Sequence, residues 1–448
     1  MGGPTASAPD PGVEPYTKSR SHDLGAALGL VLGGTLIAVT YGVARWLQAR
    51  GHQLWTNAPP LNGSYEWRLS ANSVVAIGAA AAGWWWAPRF VHDVRWRRLM
   101  WGSFAAALVW AAALAFADGR RGFIGPPAQI VDYSHTAAKI VSASAFLRGF
   151  VANIHTFAGH VRSHPPGYVL LLFAMRRVGL EGPWWQMTLQ LGAASASVPA
   201  VLLGVREVMG ESCARRAAAF LALAPAAVFW GSGDAVFLFV GAWGTALLVL
   251  STGRAGNRAW SLALGGGLLF GCLLFLSYGM ALLGIVPAAV ALSRRRAGLL
   301  ALAAVPALAV AVAFAAAGFN WFSGFAAARR EVAMSVQQFR PYWFFLFANL
   351  AALAAALGPA VWAALGRFAL ARPPDRRAWL LVGAALVAVA IADLTGLSKG
   401  EVERIWLPFM PWIVAVTGAV FDEAHLRRWL GAQVLWALGL QFLVRTPW

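Results

Sequence analysis

The sequence predicts an all-α fold: a polytopic bundle of roughly eleven to fourteen transmembrane helices, with interfacial helices in one external loop. Three observations predict it. The 448 residues are 59% hydrophobic and only 12% charged, whereas about a quarter of a soluble domain is charged. Apolar runs recur from Leu24 to Val444 without the alternation of a barrel strand, so helices must satisfy the backbone in lipid. Finally, the basic residues come in small clusters between those runs, as in cytoplasmic loops beside anionic lipid.

Taken in order, residues 1–23 read as a polar, disordered cytoplasmic tail. The run 24–44 is long for a signal peptide and reads as an uncleaved span. Residues 24–448 form a single membrane domain, with further apolar runs at 71–87, 99–117, 166–178, 185–205, 215–231, 235–252, 260–278, 280–292, 298–317, 342–366, 378–395, 404–420 and 430–444. Gly29 with Gly33, and Gly267 with Gly271, are small-xxx-small pairs that let helices approach closely. Cys213 and Cys272 allow neither a disulfide framework nor a thiolate zinc site. The net charge of +18 is not gathered into a basic domain, so nucleic acid is not an expected partner. No Walker A loop, Rossmann fingerprint or HExxH motif is present.

The clusters His92–Met100, 253–258, 293–298, 366–377 and 425–429 fall on one side, the cytoplasm, if the runs alternate. The external side then holds 45–70, 118–164, 232–234, Ser277–Tyr278, 318–341 and 396–403. One parity conflict remains. Arg176–Arg177 and 206–216 both look cytoplasmic with a single run between them, so one run between 165 and 231 is re-entrant or split.

The external loops carry the chemistry. Loop 118–164 holds Asp132, Tyr133, His135, His155 and His160, and ends at His164. Ile140, Ala143, Phe146, Leu147, Phe150 and Val151 share one face at helical spacing, which suits a helix in the membrane interface. "HPPG" (His164–Gly167) is a rigid helix start, since proline fits the first turn; it also fixes His164 toward a cavity and Asp132. Asp234 reads first as a helix N-cap, and otherwise as a partner for an arginine. In "SKGEVERIW", Lys399, Glu401, Glu403 and Arg404 crowd the start of a span, as an ion-pair cluster or a cation site for phosphate. Arg340 lies in a further basic external loop.

Together "QIVDYSHTAAK", "HVRSHPPGYVLL", "FWGSGDAVF" and "EVERIWLPFMPW" resemble the GT-C superfamily of integral membrane glycosyltransferases, over roughly residues 100–420. The Ala-, Arg- and Trp-rich composition looks actinobacterial. The resemblance implies a multi-pass plasma-membrane enzyme of cell-envelope glycan synthesis with its site on the external face. It would move mannose or arabinofuranose, with inversion, from a polyprenyl-phosphate donor to a glycan or glycolipid acceptor among membrane lipids. By the match, Asp132 is the general base. Arg404, helped by Lys399 and Arg340, holds the leaving phosphate, with His164, Glu403, Asp234 and Tyr133 as substrate contacts. The family's loop normally follows the first span, which makes Glu66 a rival base. Without an Asp-x-Asp motif, no metal cofactor is expected; a divalent metal held by the loop histidines with Asp132 is the less favoured alternative. Two other readings stay open: a polytopic transporter or lipid flippase, and an assembly partner without activity.

Overall fold

A computed structural model describes residues 20–371 and 375–448 and is 77% helical. Most of the expected tail lies outside the described residues; its end is already helical. Helix α1 (Arg20–Ala49) leads to strand β1 (Ser64–Tyr65), then α2 (Ser73–Asp93) and α3 (Trp96–Ala115). The long loop that follows contains α4 (Gly119–Ile124), α5 (Tyr133–Ala137), α6 (Ala143–Gly149) and α7 (Gly159–Arg162). Next come α8 (Gly167–Arg177), α9 (Pro183–Met209), α10 (Glu211–Ala222), α11 (Asp234–Thr252), α12 (Gly256–Leu274), α13 (Ile285–Ser293) and α14 (Ala297–Ala316). The chain continues with α15 (Trp321–Ala333), α16 (Tyr342–Leu357), α17 (Pro359–Leu370), α18 (Arg376–Leu394), α19 (Val402–Ile405), α20 (Met410–Val420) and α21 (Glu423–Leu443). Strand β2 (Val444–Arg445) closes it.

The protein has membrane character, but the expected spans do not match its helices one for one. Among the described residues, six helices are long and apolar enough to cross a membrane, or seven if the bent pair α16–α17 is one span. That pair bends by 108° because Gly358 adopts φ +81° and Pro359 starts a new helix. The break exposes backbone groups that lipid could not satisfy. Gln433 of α21 satisfies them: its Nε2 donates to Leu357 O at 2.6 Å, and its Oε1 accepts from Ala360 N at 3.1 Å.

Both glycine pairs do what their spacing predicts. A Cβ on Gly29 would lie 2.0 Å from the Trp362 carbonyl oxygen of α17, and one on Gly267 would lie 1.9 Å from that of Ala303 in α14. Backbone contact this close is the source of helix association where lipid competes for apolar surface.

Contacts sort the loops into two ends. At the basic end, Arg215 donates to Val91 O (3.0 Å) and Val94 O (2.9 Å), Arg254 and Arg294 share Glu207, and His92 meets Glu423. The clusters expected to lie together do so. The parity conflict resolves in α8. Gly167 N donates to Phe275 O at 2.8 Å, and Arg176 donates to Ala138 O and Ile140 O of the long loop. Helix α8 therefore enters and leaves at the opposite end, and Arg176–Arg177 do not join the basic end. Two carbonyls take the guanidinium that looked like a cytoplasmic marker.

The long loop also differs from expectation. Its amphipathic segment is only the seven-residue α6, and Phe150 is fully buried against Phe319, with ring centroids 5.2 Å apart. The apolar face covers the bundle, where an aromatic partner is available.

Candidate functional site

At the end opposite the basic loops, four distant parts of the chain meet around Tyr133. Asp132 caps α5, with Oδ1 accepting from Ser134 N at 2.9 Å and from Gln186 Nε2 at 2.8 Å. Gln186 lies in the first turn of α9, so the loop carboxylate is anchored to a long helix. Asp132 is buried, and burial raises its carboxyl above the usual aspartate range although both hydrogen bonds oppose this. Tyr133, fully enclosed, packs edge-on to Tyr168 (4.8 Å) and against His160 and His164 (5.6 Å each).

Arg404 and Asp234 form the second half. Arg404 Nη1 donates to Asp234 Oδ2 and Nη2 to Glu401 Oε2, each at 2.7 Å. Arg404 and Asp234 are both buried, so the pair lies out of water. Burial alone would lower the guanidinium pKa, yet the two carboxylates hold it above the usual arginine range. Asp234 is not the N-cap: Gly233 occupies that position and no side-chain cap bond forms. Its carboxylate is turned to Arg404 instead. Gly233, next to Asp234, lies against the Tyr133 ring: a Cβ there would lie 3.2 Å from Tyr133 Cε2, so the two halves are neighbours.

His164 is buried beside Tyr133 and Phe237, with Nδ1 2.9 Å from His160 O and 3.0 Å from Ser163 Oγ. It meets the residue after Asp132 rather than Asp132 itself. Burial pushes the pKa values of His160 and His164 below the usual histidine value, with Arg404 adding to the effect at His160.

Other expected residues lie elsewhere. Glu403 does not pair with its neighbour Arg404. Its Oε1 accepts from Asn62 N at 3.0 Å, its Oε2 has no partner among the described residues, and burial raises its pKa to about 7. Arg340 is buried and taken up by carbonyls, with Nε on Leu54 O (3.0 Å), Nη1 on Lys399 O (2.6 Å) and Nη2 on Trp55 O (3.2 Å). Lys399 Nζ donates to Arg340 O at 2.9 Å. The two residues bind each other's loops and do not present free cations. Glu66 is exposed just after β1, where hydrogen bonds from Ser64 and Arg445 lower its pKa.

A recess of about 270 Å³ adjoins this centre, lined by residues that sequence reasoning missed, including Arg68, Asp118, Arg121, Gln129 and Arg445. Its wall includes Trp448, whose ring lies 4.7 Å from the Arg404 guanidinium carbon. The strap 444–448 is held there by β1–β2 pairing, by Arg68 donation to Val444 O (2.6 Å) and to Gln441 O, and by Gln129 donation to Pro447 O. Asp132, His164 and Arg404 do not line the recess, and Trp448 lies between it and Arg404. Among the described residues no cluster of three His, Cys, Asp or Glu side chains is placed to hold a metal. Comparison with known protein families, curated proteins and solved structures gives no match for this chain.

Proposed function

We propose that the protein is a membrane glycosyltransferase of the GT-C type, acting at the end of the bundle opposite the basic loops, the external face of the plasma membrane. The observation that supports this reading is that Tyr133, next to Asp132, packs against Gly233, next to the Asp234–Arg404 pair, bringing together sites far apart in the chain. The donor is a mannose or arabinofuranose on a polyprenyl phosphate, and the acceptor is a glycan or glycolipid hydroxyl.

In this mechanism Asp132 takes the proton of the acceptor hydroxyl. The oxygen attacks the anomeric carbon from the face opposite the phosphate, the C–O bond to phosphate breaks, and the configuration inverts. A carboxyl whose pKa is raised by burial is a better base than an ordinary one, since a catalytic pKa nearer the working pH is favoured. Glu66, exposed and with a lowered pKa, is the weaker candidate. Fixed cations stabilise a departing phosphate. Arg404 supplies one once Trp448 shifts, since the indole covers it. Arg340 and Lys399 shape the 398–401 loop that presents Glu401 to Arg404.

The test is transfer from a polyprenyl-phosphate sugar by the purified full chain. Turnover that depends on Asp132 supports the reading, and equal turnover by Asp132→Asn removes Asp132 as the base. A flippase is the second reading, favoured by the 108° break in α16–α17. The break ranks it lower than it first suggests, because Gln433 closes the freed backbone instead of leaving it to line a passage. Lipid flux in liposomes separates the two.

A further inference from the structure

The recess beside the sealed centre has a charge pattern of its own. Three guanidiniums, Arg68, Arg121 and Arg445, line it against one carboxylate, Asp118. Arg68 is fixed by Asp118, by the Gln441 carbonyl of α21 and by the Val444 carbonyl of the strap. Arg445 shares Glu66, 3.1 Å away and outside the wall. Arg121 is exposed and has no ion pair or side-chain hydrogen bond among the described residues. Even with Glu66 counted, Arg121 is unanswered. Gln129 and the indole of Trp448 supply a polar amide and an aromatic face. With Arg68 and Arg445 already engaged, Arg121 is the donor left for an anion, and its fork matches phosphate oxygens. A single phosphoryl group carries about one charge as a diester and roughly 1.5 to 2 as a monoester, and Arg121 is the guanidinium left to meet it.

We infer that this recess binds one phosphoryl group, carried either by a lipid headgroup or by a small sugar phosphate, at a site distinct from Arg404. The inference does not rest on the transferase reading, because it concerns binding alone and shares with that reading only the indole of Trp448. The volume of about 270 Å³ holds a phosphoryl group with part of one sugar and is too small for a nucleotide-linked sugar.

The experiment is equilibrium binding by calorimetry to the full chain in nanodiscs of neutral lipid. The probes are dodecyl phosphate, mannose 1-phosphate and the neutral dodecyl glucoside. Saturable binding of either phosphate probe without binding of the glucoside is expected, and which probe binds identifies the source. Arg121→Gln weakens it by about tenfold or more, the worth of a charge-assisted hydrogen bond, and Arg121→Lys recovers part of the loss. Arg445→Gln weakens binding less, because Glu66 already engages that side chain. Arg148→Gln, an exposed arginine away from the recess, and Asp132→Asn bind as wild type. Binding lost in Arg121→Gln but kept in Asp132→Asn supports the recess whatever the turnover assay gives. Failure of both phosphate probes to saturate, or wild-type affinity in both Arg121→Gln and Arg445→Gln, overturns it.

Discussion

The centre around Arg404 and the recess behind Trp448 hold similar groups in opposite states. In the centre the guanidinium is buried and answered by two carboxylates at 2.7 Å. In the recess Arg121 faces open space with no carboxylate. A buried charge missing one partner is strongly destabilising, whereas an exposed one is hydrated at little cost. The sealed centre is therefore tied to the fold, and the recess is free to vary with a ligand. One indole divides them.

The comparison can be broken at four points. The largest effect expected is on transfer: Asp132→Asn lowers the rate from a polyprenyl-phosphate sugar by about 10²–10⁴-fold. The helical circular dichroism stays unchanged. A normal rate would leave the sealed centre a structural knot. Next, Asp234→Ala leaves Arg404 with one carboxylate and is expected to destabilise by about 3–5 kcal/mol, read as a lower unfolding midpoint in detergent. Arg121→Ala should leave that midpoint in place, which sharpens the contrast.

Trp448→Ala should join the two regions. Loss of the cation–π contact costs about 1–2 kcal/mol, and Arg404 becomes reactive toward phenylglyoxal, as located by mass spectrometry. Continued protection of Arg404 would show that the indole is not the divider. The smallest effect concerns Glu403, whose pKa rises from the model-compound value of 4.5 to about 7 on burial. The folded state holds this proton more tightly than the unfolded state. Its stabilising contribution is complete below about pH 4.5 and is lost as pH rises through about 7. His160 and His164 act oppositely, because their folded pKa values are lowered and their contribution is lost as pH falls. The difference between wild type and Glu403→Gln isolates the carboxyl: wild type loses stability relative to the variant between pH 4.5 and 7.

The class of fold was legible because hydropathy and charge act locally. Apolar runs mark the membrane character, and most basic clusters mark one end. Arg176 misled because its partners, Ala138 O and Ile140 O, are backbone atoms with no sequence signature. The meeting of Asp132, Asp234 and Arg404 was expected only through short motifs that resemble a known family. Periodicity cannot reveal a pair 170 residues apart. Glu403 looked like the natural partner of Arg404 by adjacency, but residues next to each other on a helix point to different faces, and Glu401 at i−3 took the role. Gln186 had no signal beyond its place in a helix's first turn. The recess was invisible, since Arg68, Arg121 and Arg445 read as ordinary basic residues at span ends.

The two-stranded pair β1–β2 joins Ser64–Tyr65 to Val444–Arg445, and Arg68 is held by carbonyls at 441 and 444. A chain emerging from a ribosome makes the first partner long before the second. Nearly every helix must be inserted while that early loop waits with its edge unpaired. Completion of the last helix then acts as a latch on the first loop, so a nascent chain stalled before residue 440 should expose residues 64–68 to protease, and a full-length one should shield them.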